Sequence, residues 1–226
     1  MENINYESCQ MCNFELHKSV LFVVSSNRQL NDSSETGVWF EEFAIPYSAF
    51  LEKGYEVTVV SPNGGEAPID PKSINDKYEK AKQALKNTRH LASVDFERYD
   101  ALILPGGHAP MFDLSKCEIL GKIINCFSRK NKLIGAICHG PAGLLSAPDF
   151  IKGKRLTCIT NEEEHYNNTE KIIPFYLEDA LKNLGADFVQ GGIGEVNVIT
   201  DGNLITAQNY QSTDTFTREI ISYLKN

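Results

Sequence analysis

One cysteine in the sequence stands where a catalytic nucleophile would be expected. Cys138 follows an apolar run at residues 132–137 and precedes the small residues 140–143, which leave room for a sharp turn from a strand into a helix. At such a turn the first N–H groups of the helix lack partners, so they favour a thiolate and can hold an oxyanion. A structural cysteine buried at the end of a core strand is the alternative. The adjacent His139 and the small residues favour a nucleophile.

A cysteine nucleophile needs a base, and five histidines are available. His139 follows the cysteine directly, and His108 follows a predicted strand. His165 lies close to the end of another predicted strand. His17 and His90 lie in polar segments and are predicted to be exposed. The residue types alone leave the choice of base open among the first three.

Two glutamates are candidate acid–base groups. Glu164 could orient the imidazole of the base, although charge that favours a helix N-terminus is another explanation for the acidic run at 162–164. A helical wheel of residues 37–53 places Glu42 at the edge of the apolar face. A half-buried Glu42 would have a raised pKa and, if it touched Cys138, would share one proton with the thiol. A glutamate on the surface is the alternative.

A glycine pair follows the third predicted strand, residues 100–104, and precedes His108. Ligands bind at the carboxyl ends of strands in open parallel sheets. The backbone N–H groups at Gly106 and Gly107 could therefore point toward Cys138 and contribute to an oxyanion hole. A plain tight turn explains the pair equally well.

Strands alternate with helices along the sequence, which predicts one α/β domain with a doubly wound, mostly parallel sheet covered by helices on both faces. Strands are predicted at residues 19–25, 55–61, 100–104, 132–137 and 155–160, and the continuous apolar run at 19–25 is typical of a strand buried on both faces. Helices are predicted over residues 37–53, 76–87, 115–129, 174–184 and 213–224, with the first kinked or broken at Pro46 and the fourth begun by Pro174. Asn161 is a predicted N-cap, and Asp201-Gly202-Asn203 predicts a hairpin between residues 195–200 and 204–207.

The first 17 residues are polar and irregular, so we expect an N-terminal extension followed by the α/β domain over residues 18–226. The extension contains Cys9 and Cys12 in a CxxC pair. A zinc or redox role would need a second pair or a strand–helix context, and the sequence offers neither.

Composition excludes several classes of function. A net charge of -8 argues against nucleic acid or an anionic membrane as the main partner. The sequence shows no signal peptide and no apolar run long enough to span a membrane, and its six scattered cysteines predict reduced thiols in the cytoplasm. Dinucleotide, phosphate-loop and HExxH motifs are missing, so no cofactor is predicted.

The motifs together resemble the ThiJ/PfpI superfamily, whose flavodoxin-like fold is that of class I glutamine amidotransferase domains. The most similar branch contains heat-shock chaperones and glutathione-independent glyoxalases. The matching stretches include TGVWFEE at 36–42, GYEVTVVSPNGG at 54–65, YDALILPGGHAPM at 99–111, AICHGPAGLL at 136–145, TNEEE at 160–164, PFYLEDALKNLGA at 174–186 and VITDGNLITAQN at 198–209.

The resemblance implies roles for particular residues. Cys138 would be the nucleophile with Glu42 touching it, His139 the base and Glu164 the acid that orients His139. The backbones of Gly107 and His139 would form the oxyanion hole. The substrate pocket is expected to include His108, Trp39 and Ile45, the last at a position where related sequences carry a histidine. The metal-binding residues of the larger bacterial chaperones have no counterpart, so no metal is predicted.

The activity implied by this branch is conversion of methylglyoxal to lactate without glutathione, a lyase reaction of the D-lactate dehydratase class. The expected partners are a small reactive carbonyl compound and a second copy of the chain in a homodimer. Two alternatives stay open. One is a stress-protective chaperone, deglycase or redox sensor, and the other is a cysteine hydrolase acting on a peptide, amide or isonitrile.

Overall fold

The structure is a computed structural model that describes residues 18–31 and 34–225. The predicted extension with Cys9 and Cys12 lies outside the described residues, so it stays a prediction, as does the domain boundary at residue 18. No helix in the described part of the chain combines the length and apolar character needed to cross a membrane.

The prediction of a mostly parallel α/β fold is confirmed. Seven strands form one sheet in the order β10-β11-β7-β6-β1-β4-β5, and β10 pairs with β11 in the one antiparallel pairing among them. The described strands are β1 (Ser19–Val23), β2 (Gln29–Asn31), β3 (Ser34–Glu35), β4 (Glu56–Ser61), β5 (Arg89–His90), β6 (Ala101–Leu104), β7 (Leu133–Ile137), β8 (Arg155–Leu156), β9 (Asp187–Phe188), β10 (Val198–Asp201) and β11 (Leu204–Ala207).

The helices of the described chain flank this sheet. They are α1 (Phe40–Glu52), α2 (Glu79–Lys86), α3 (Glu118–Arg129), α4 (Pro148–Ile151), α5 (Asn161–Tyr166), α6 (Leu177–Asn183) and α7 (Thr213–Lys225). Short 3-10 helices occur at Leu91–Ser93, Phe96–Arg98, Ala109–Met111, Leu114–Lys116, Gly140–Ser146 and Tyr210–Ser212. Every residue of β1, β6 and β7 is buried, as expected for central strands covered on both faces.

The first helix differs from its prediction in two ways. It begins at Phe40 because Val38 pairs with Ile69 in an extended bridge just before it. It also continues through Pro46, so of the kink or break expected there the break does not occur. Phe43 and Phe50, on either side of the proline, both pack against Phe22 of β1 with ring centroids 5.1 and 5.9 Å away. This buried aromatic packing offsets the hydrogen bond that proline cannot donate.

The prediction that residues 155–160 form a fifth strand of the main sheet is wrong. Only Arg155–Leu156 is a strand, and it pairs with β9 in a separate two-stranded sheet. The following residues bind the ends of other strands: the N–H of Thr157 donates to the Thr206 hydroxyl, and the N–H of Ile159 donates to the carbonyl of Cys138. Residues 157–160 therefore cross the ends of β7 and β11, and α5 begins beside Cys138.

Two later helices, α5 and α6, begin at residues other than those predicted, whereas the predicted β10–β11 hairpin is present. The N-cap of α5 is Thr160 rather than Asn161, because Thr160 and Glu163 form a reciprocal capping box. Helix α6 begins at Leu177, three residues beyond Pro174. The hairpin of β10 and β11 is confirmed, with Gly202 at a φ of 59° in the turn.

Candidate active site

The site is built where two neighbouring parallel strands end. Leu104, the last residue of β6, pairs with Ala136 of β7, so the turns that follow these strands lie side by side. A Cβ atom on Gly106 would stand 2.8 Å from the backbone nitrogen of His139. The glycine at 106 is therefore required for the close approach of the two turns.

Cys138 occupies a strained turn, as the small residues around it predict. Its φ of 58° is uncommon for a residue with a side chain. Two backbone hydrogen bonds hold it there: its N–H donates to Ala207 at 2.9 Å, and its carbonyl accepts from Ile159 at 3.0 Å. Gly140 completes the turn, since a Cβ atom there would lie 2.0 Å from the carbonyl oxygen of Leu104.

The expectation that an α-helix N-terminus favours a thiolate at Cys138 is wrong. The element after the cysteine is the seven-residue 3-10 helix Gly140–Ser146, whose poorer hydrogen-bond geometry gives a weaker support for a thiolate than the expected α-helix. Burial, followed by repulsion from Glu42, raises the pKa of the Cys138 thiol well above its usual value. The resting group is a thiol that must hand over its proton before it attacks.

His139 lies between the cysteine and Glu164. Its Nδ1 atom is 3.3 Å from Cys138 Sγ, and its Nε2 atom is 2.7 Å from Glu164 Oε1. Both His139 and Glu164 are buried. Burial and the neighbouring His108 lower the pKa of His139 and outweigh the opposing attraction of Glu164, so the imidazole is neutral and able to accept a proton. This is the geometry of a nucleophile, a base and an orienting acid.

Glu164 is held by more than His139. The hydroxyl of Thr169 donates to Glu164 Oε2, and the Nε2 atom of His108 lies 3.6 Å from that oxygen. Burial alone would raise the pKa of Glu164, but the attraction of His139, with that of His108, outweighs it and holds the pKa well below its usual range. The group is therefore a carboxylate that keeps the imidazole of His139 oriented.

Glu42 is a second acid beside the sulfur. It is fully buried, more completely than the wheel predicts, and its carboxyl group lies against the Cys138 thiol. The backbone N–H of Gly106 donates to its Oε2 atom at 2.9 Å. Burial raises the pKa of Glu42 to about 8 against the lowering effect of Cys138 and of the Gly106 N–H. Because a carboxylate and a thiolate in contact repel, Glu42 is mostly protonated beside the Cys138 thiol at neutral pH.

The predicted oxyanion hole is changed by that contact. The N–H of Gly106 is occupied by Glu42, so Gly106 positions the acid instead of binding an oxyanion. The N–H groups of Gly107 and His139 have no hydrogen-bond acceptor within residues 18–31 and 34–225. Gly107 has a φ of 86°, and a Cβ atom there would lie 2.1 Å from the carbonyl of Gly37. These two N–H groups stay the candidate oxyanion donors.

The three residues predicted to line the substrate pocket make different contacts around the Cys138–His139 pair. The ring of His108 packs against that of His139 with centroids 4.1 Å apart. Trp39 donates its backbone N–H to Gly106, and its ring lies against Tyr210. Ile45 is partly buried in α1, one turn beyond Glu42.

The remaining histidines of the described chain are not in the site. His165 is 81% exposed beside Glu170, and His90 is an exposed residue of β5. His17 lies outside the described residues.

Thr169 is the residue near the reaction centre that the sequence reasoning misses. It lies after the end of α5, where its hydroxyl donates to the carboxylate of Glu164 and lies 3.0 Å from the backbone carbonyl of the same residue. A threonine five positions after a glutamate forms no recognisable pattern. The contact depends on the path of the chain beyond α5, where Asn168 adopts a φ of 56°.

Known proteins resemble this chain in sequence and in fold. The model of the DJ-1/PfpI family matches residues 34–223. Glyoxalase 3 of Candida albicans is 26% identical in sequence, across 91% of this chain and 97% of that protein. The crystal structure of glyoxalase III from Candida albicans covers 91% of this chain and 96% of its own, with a TM-score of 0.82 and 26% identity.

A second solved structure is more similar still. The X-ray structure of Rapid Encystment Protein 24 KDa from Francisella tularensis is 34% identical, with a TM-score of 0.87. It covers 92% of this chain, which in turn covers 100% of that protein. The resemblance seen in the sequence motifs is thereby confirmed. Since the family model spans nearly all of the α/β fold, this chain belongs to the DJ-1/PfpI family.

Proposed function

We propose that this protein is a glutathione-independent glyoxalase, which converts methylglyoxal or a related 2-oxoaldehyde to a 2-hydroxy acid on Cys138. One observation carries the proposal: a buried carboxyl group with a pKa of about 8, Glu42, touches the thiol of a nucleophilic turn. Such a group can both accept and donate a proton near neutral pH. Isomerising a 2-oxoaldehyde requires that ability. Relatives bearing the glyoxalase name over most of this chain support it.

The reaction begins at the sulfur. The Cys138 thiol passes its proton to His139 Nδ1, 3.3 Å away, as the sulfur attacks the aldehyde carbon C1. The product is a hemithioacetal with a new S–C1 bond. Its oxygen develops negative charge, which the N–H groups of Gly107 and His139 stabilise before the proton on His139 neutralises it.

The second stage moves hydrogen from C1 to C2. Glu42, as carboxylate, removes the proton on C1, while neutral His139 takes the proton of the C1 hydroxyl and passes it to the C2 carbonyl oxygen, which gives an enediolate. Glu42 then returns its proton to C2, which leaves a thioester of a 2-hydroxy acid on Cys138. His139 then activates water for hydrolysis of the thioester. The sum is the 2-oxoaldehyde plus water, and neither oxidant nor reductant is consumed.

The direct test is purified protein with methylglyoxal in the absence of glutathione. We expect loss of the aldehyde with formation of an equal amount of lactate, and no turnover by Cys138→Ala. A Cys158→Ser variant is the matched control, because Cys158 is also buried but donates its thiol hydrogen to a backbone carbonyl. Unchanged methylglyoxal, or turnover that survives Cys138→Ala, would overturn the proposal.

A cysteine hydrolase is the second candidate. The contacts from Cys138 to His139 and from His139 to Glu164 favour a hydrolase, because the same arrangement of nucleophile, base and acid performs acyl transfer on unrelated folds. Activated ester substrates with mass spectrometry would detect an acyl group on Cys138. Rapid ester turnover together with inert methylglyoxal would favour the hydrolase.

The proposal also covers the compartment and the oligomeric state of the protein. Cys117, Cys126, Cys138 and Cys158 are free thiols, which supports a reducing cytoplasmic compartment. The homodimer rests on the family resemblance. Light scattering is its test, and the mass of a single chain would contradict it.

A further inference from the structure

Three side chains of types that bind metal ions meet on the side of His139 that faces away from the thiol. The Nε2 atom of His139 lies 2.7 Å from Glu164 Oε1, and the Nε2 atom of His108 lies 3.6 Å from Glu164 Oε2. One donor atom from each residue lies within 4.8 Å of the others. Two imidazoles and one carboxylate are a ligand set typical of zinc sites that keep an open position.

The Nε2 atom of His108 makes no hydrogen bond in the site without a metal ion. It is shielded from solvent and has no hydrogen-bond partner in the described part of the chain. Its distance of 3.6 Å from Glu164 is too long for a hydrogen bond. A shielded polar atom without a partner calls for an explanation, and a metal ion between the three residues would supply one.

We propose that His108, His139 and Glu164 bind a divalent cation of the zinc type, and that the bound cation inhibits the reaction at Cys138. Tetrahedral coordination with bonds of about 2.0–2.2 Å places two ligand atoms roughly 3.3 Å apart. The two separations that involve Glu164, 2.7 and 3.6 Å, lie on either side of that value. The widest separation, 4.8 Å at most, has to close by about 1.5 Å. His108 can make this movement, because its side chain is 16% exposed and its Nε2 atom has no hydrogen bond to lose.

An outer shell for the ion is already present. Ligating histidines usually have their second ring nitrogen hydrogen-bonded, and ligating carboxylates are themselves held by hydrogen bonds. The Nδ1 atom of His139 is 3.3 Å from Cys138 Sγ, and the Thr169 hydroxyl donates to Glu164. Cys138 therefore lies on the far side of the imidazole, as an outer partner rather than a ligand.

Inhibition follows from the tautomer of His139 and rests on the proposed function. In the resting site the proton of the neutral imidazole lies on Nε2, facing Glu164, so the lone pair of Nδ1 faces the thiol. A cation bound to Nε2 needs the lone pair there, so the proton moves to Nδ1 without net release. The imidazole then carries a hydrogen on the nitrogen that must accept the proton of Cys138, and the attack on the aldehyde loses its base.

The binding test is competition for zinc between the full chain and a chromophoric chelator. All variants carry Cys9→Ser and Cys12→Ser, so that the CxxC pair cannot bind the metal. We expect one zinc per chain, at least tenfold weaker binding in His108→Asn, and unchanged binding in His165→Asn, the exposed control. Circular dichroism checks that each variant is folded. Equal zinc affinity in His108→Asn and its parent would overturn the site.

Cobalt distinguishes this site from a thiolate site. Cobalt bound by two imidazoles and a carboxylate gives visible bands without a sulfur-to-cobalt charge-transfer band, and Cys138→Ser should bind it within twofold of the parent. A charge-transfer band that disappears in Cys138→Ser would show that the sulfur is a ligand and would overturn the assignment.

Turnover of methylglyoxal with and without zinc tests the inhibition separately. Zinc should inhibit the parent and His165→Asn at the concentration at which it binds, and tenfold more should be needed for His108→Asn relative to that variant's own metal-free rate. Binding without inhibition would refute the tautomer argument and leave the site. A protein that never turns over methylglyoxal would refute the proposed function, while the binding data still decide the metal site.

Discussion

Glu42 and Glu164 are both buried next to the Cys138–His139 pair, yet their carboxyl groups are shifted in opposite directions. Burial opposes ionisation of both. Glu42 is paired with a thiol and a backbone N–H, which together fail to offset burial, so its pKa rises to about 8. Glu164 faces two histidines and a threonine hydroxyl, and its pKa falls well below the usual range. The partners of a buried acid therefore decide its charge, and the site holds one proton carrier and one fixed anion.

The largest test of this difference is the pH dependence of stability. Between the unfolded pKa of 4.5 and the folded pKa of about 8, folded Glu42 holds a proton that the unfolded chain has lost. Stability from this group is therefore lost as pH rises through that window. Glu42→Gln should become more stable than the parent by on the order of 4 kcal/mol at pH 8, and by little at pH 4.5.

Urea unfolding at several pH values measures this, with Glu41→Gln as the control from the adjacent, partly exposed position of α1. Besides burial, repulsion from Glu41 raises the pKa of Glu42, whereas Cys138 and Gly106 lower it. An unfolding free energy of Glu42→Gln that tracks the parent from pH 5 to 8 would show that Glu42 is ionised throughout.

Glu164→Gln should show the opposite sign. A carboxyl group with a lowered folded pKa stabilises the protein above its unfolded pKa, and this stability is lost as pH falls toward the folded value. We expect Glu164→Gln to be less stable than the parent at pH 7 and the deficit to shrink below pH 4.5. The measurement is urea unfolding in the presence of a chelator, so that no cation neutralises Glu164.

Turnover should separate the two acids next. Glu42→Gln removes the group that carries hydrogen between the two carbons, so the rate should fall roughly 10³-fold, within the usual range for general acid–base catalysis. His139 and the oxyanion donors remain, so intact mass should still detect a methylglyoxal adduct on Cys138. Glu41→Gln should retain parental turnover. A Glu42→Gln variant with near-parental turnover would assign the proton transfer to another group.

Glu164→Gln should lower turnover less, by about 10²-fold. The amide cannot hold the imidazole with a charge, and it can present an N–H that favours the wrong tautomer of His139. Glu162→Gln is the matched control, since Glu162 lies on the exposed side of α5 and accepts a hydrogen bond from Gln190. Equal rates for Glu164→Gln and Glu162→Gln would remove Glu164 from the mechanism.

The difference between the two glutamates also marks how far the sequence can predict the site. The wheel indicates that Glu42 is the more buried of two adjacent acids, and the turn residues around Cys138 predict the strained φ. The alternation of strands and helices predicts the parallel sheet. These features depend on neighbours within a few residues, so local patterns contain them.

Contacts between distant segments are what the sequence leaves out. The N–H of Gly106 serves Glu42, 64 residues away, instead of an oxyanion. Residues 157–160 continue a predicted strand, yet they cross the ends of β7 and β11. His108 and Thr169 converge on Glu164 from two different turns. Each of these depends on packing that no local periodicity encodes.

Thr169→Val gives the smallest and most selective effect, because it alters the anion without touching the proton carrier. Valine keeps the shape of the buried side chain and removes the hydroxyl that donates to Glu164. A hydrogen bond to a charged group contributes about 1.5–3 kcal/mol, and partial compensation by His139 should leave roughly a tenfold loss of turnover. Thr169→Ser should restore most of the rate, whereas a purely structural role would leave serine as slow as valine. The pH dependence of unfolding through the Glu42 window should be unchanged in Thr169→Val, because burial, Cys138, Gly106 and Glu41 set the pKa of Glu42.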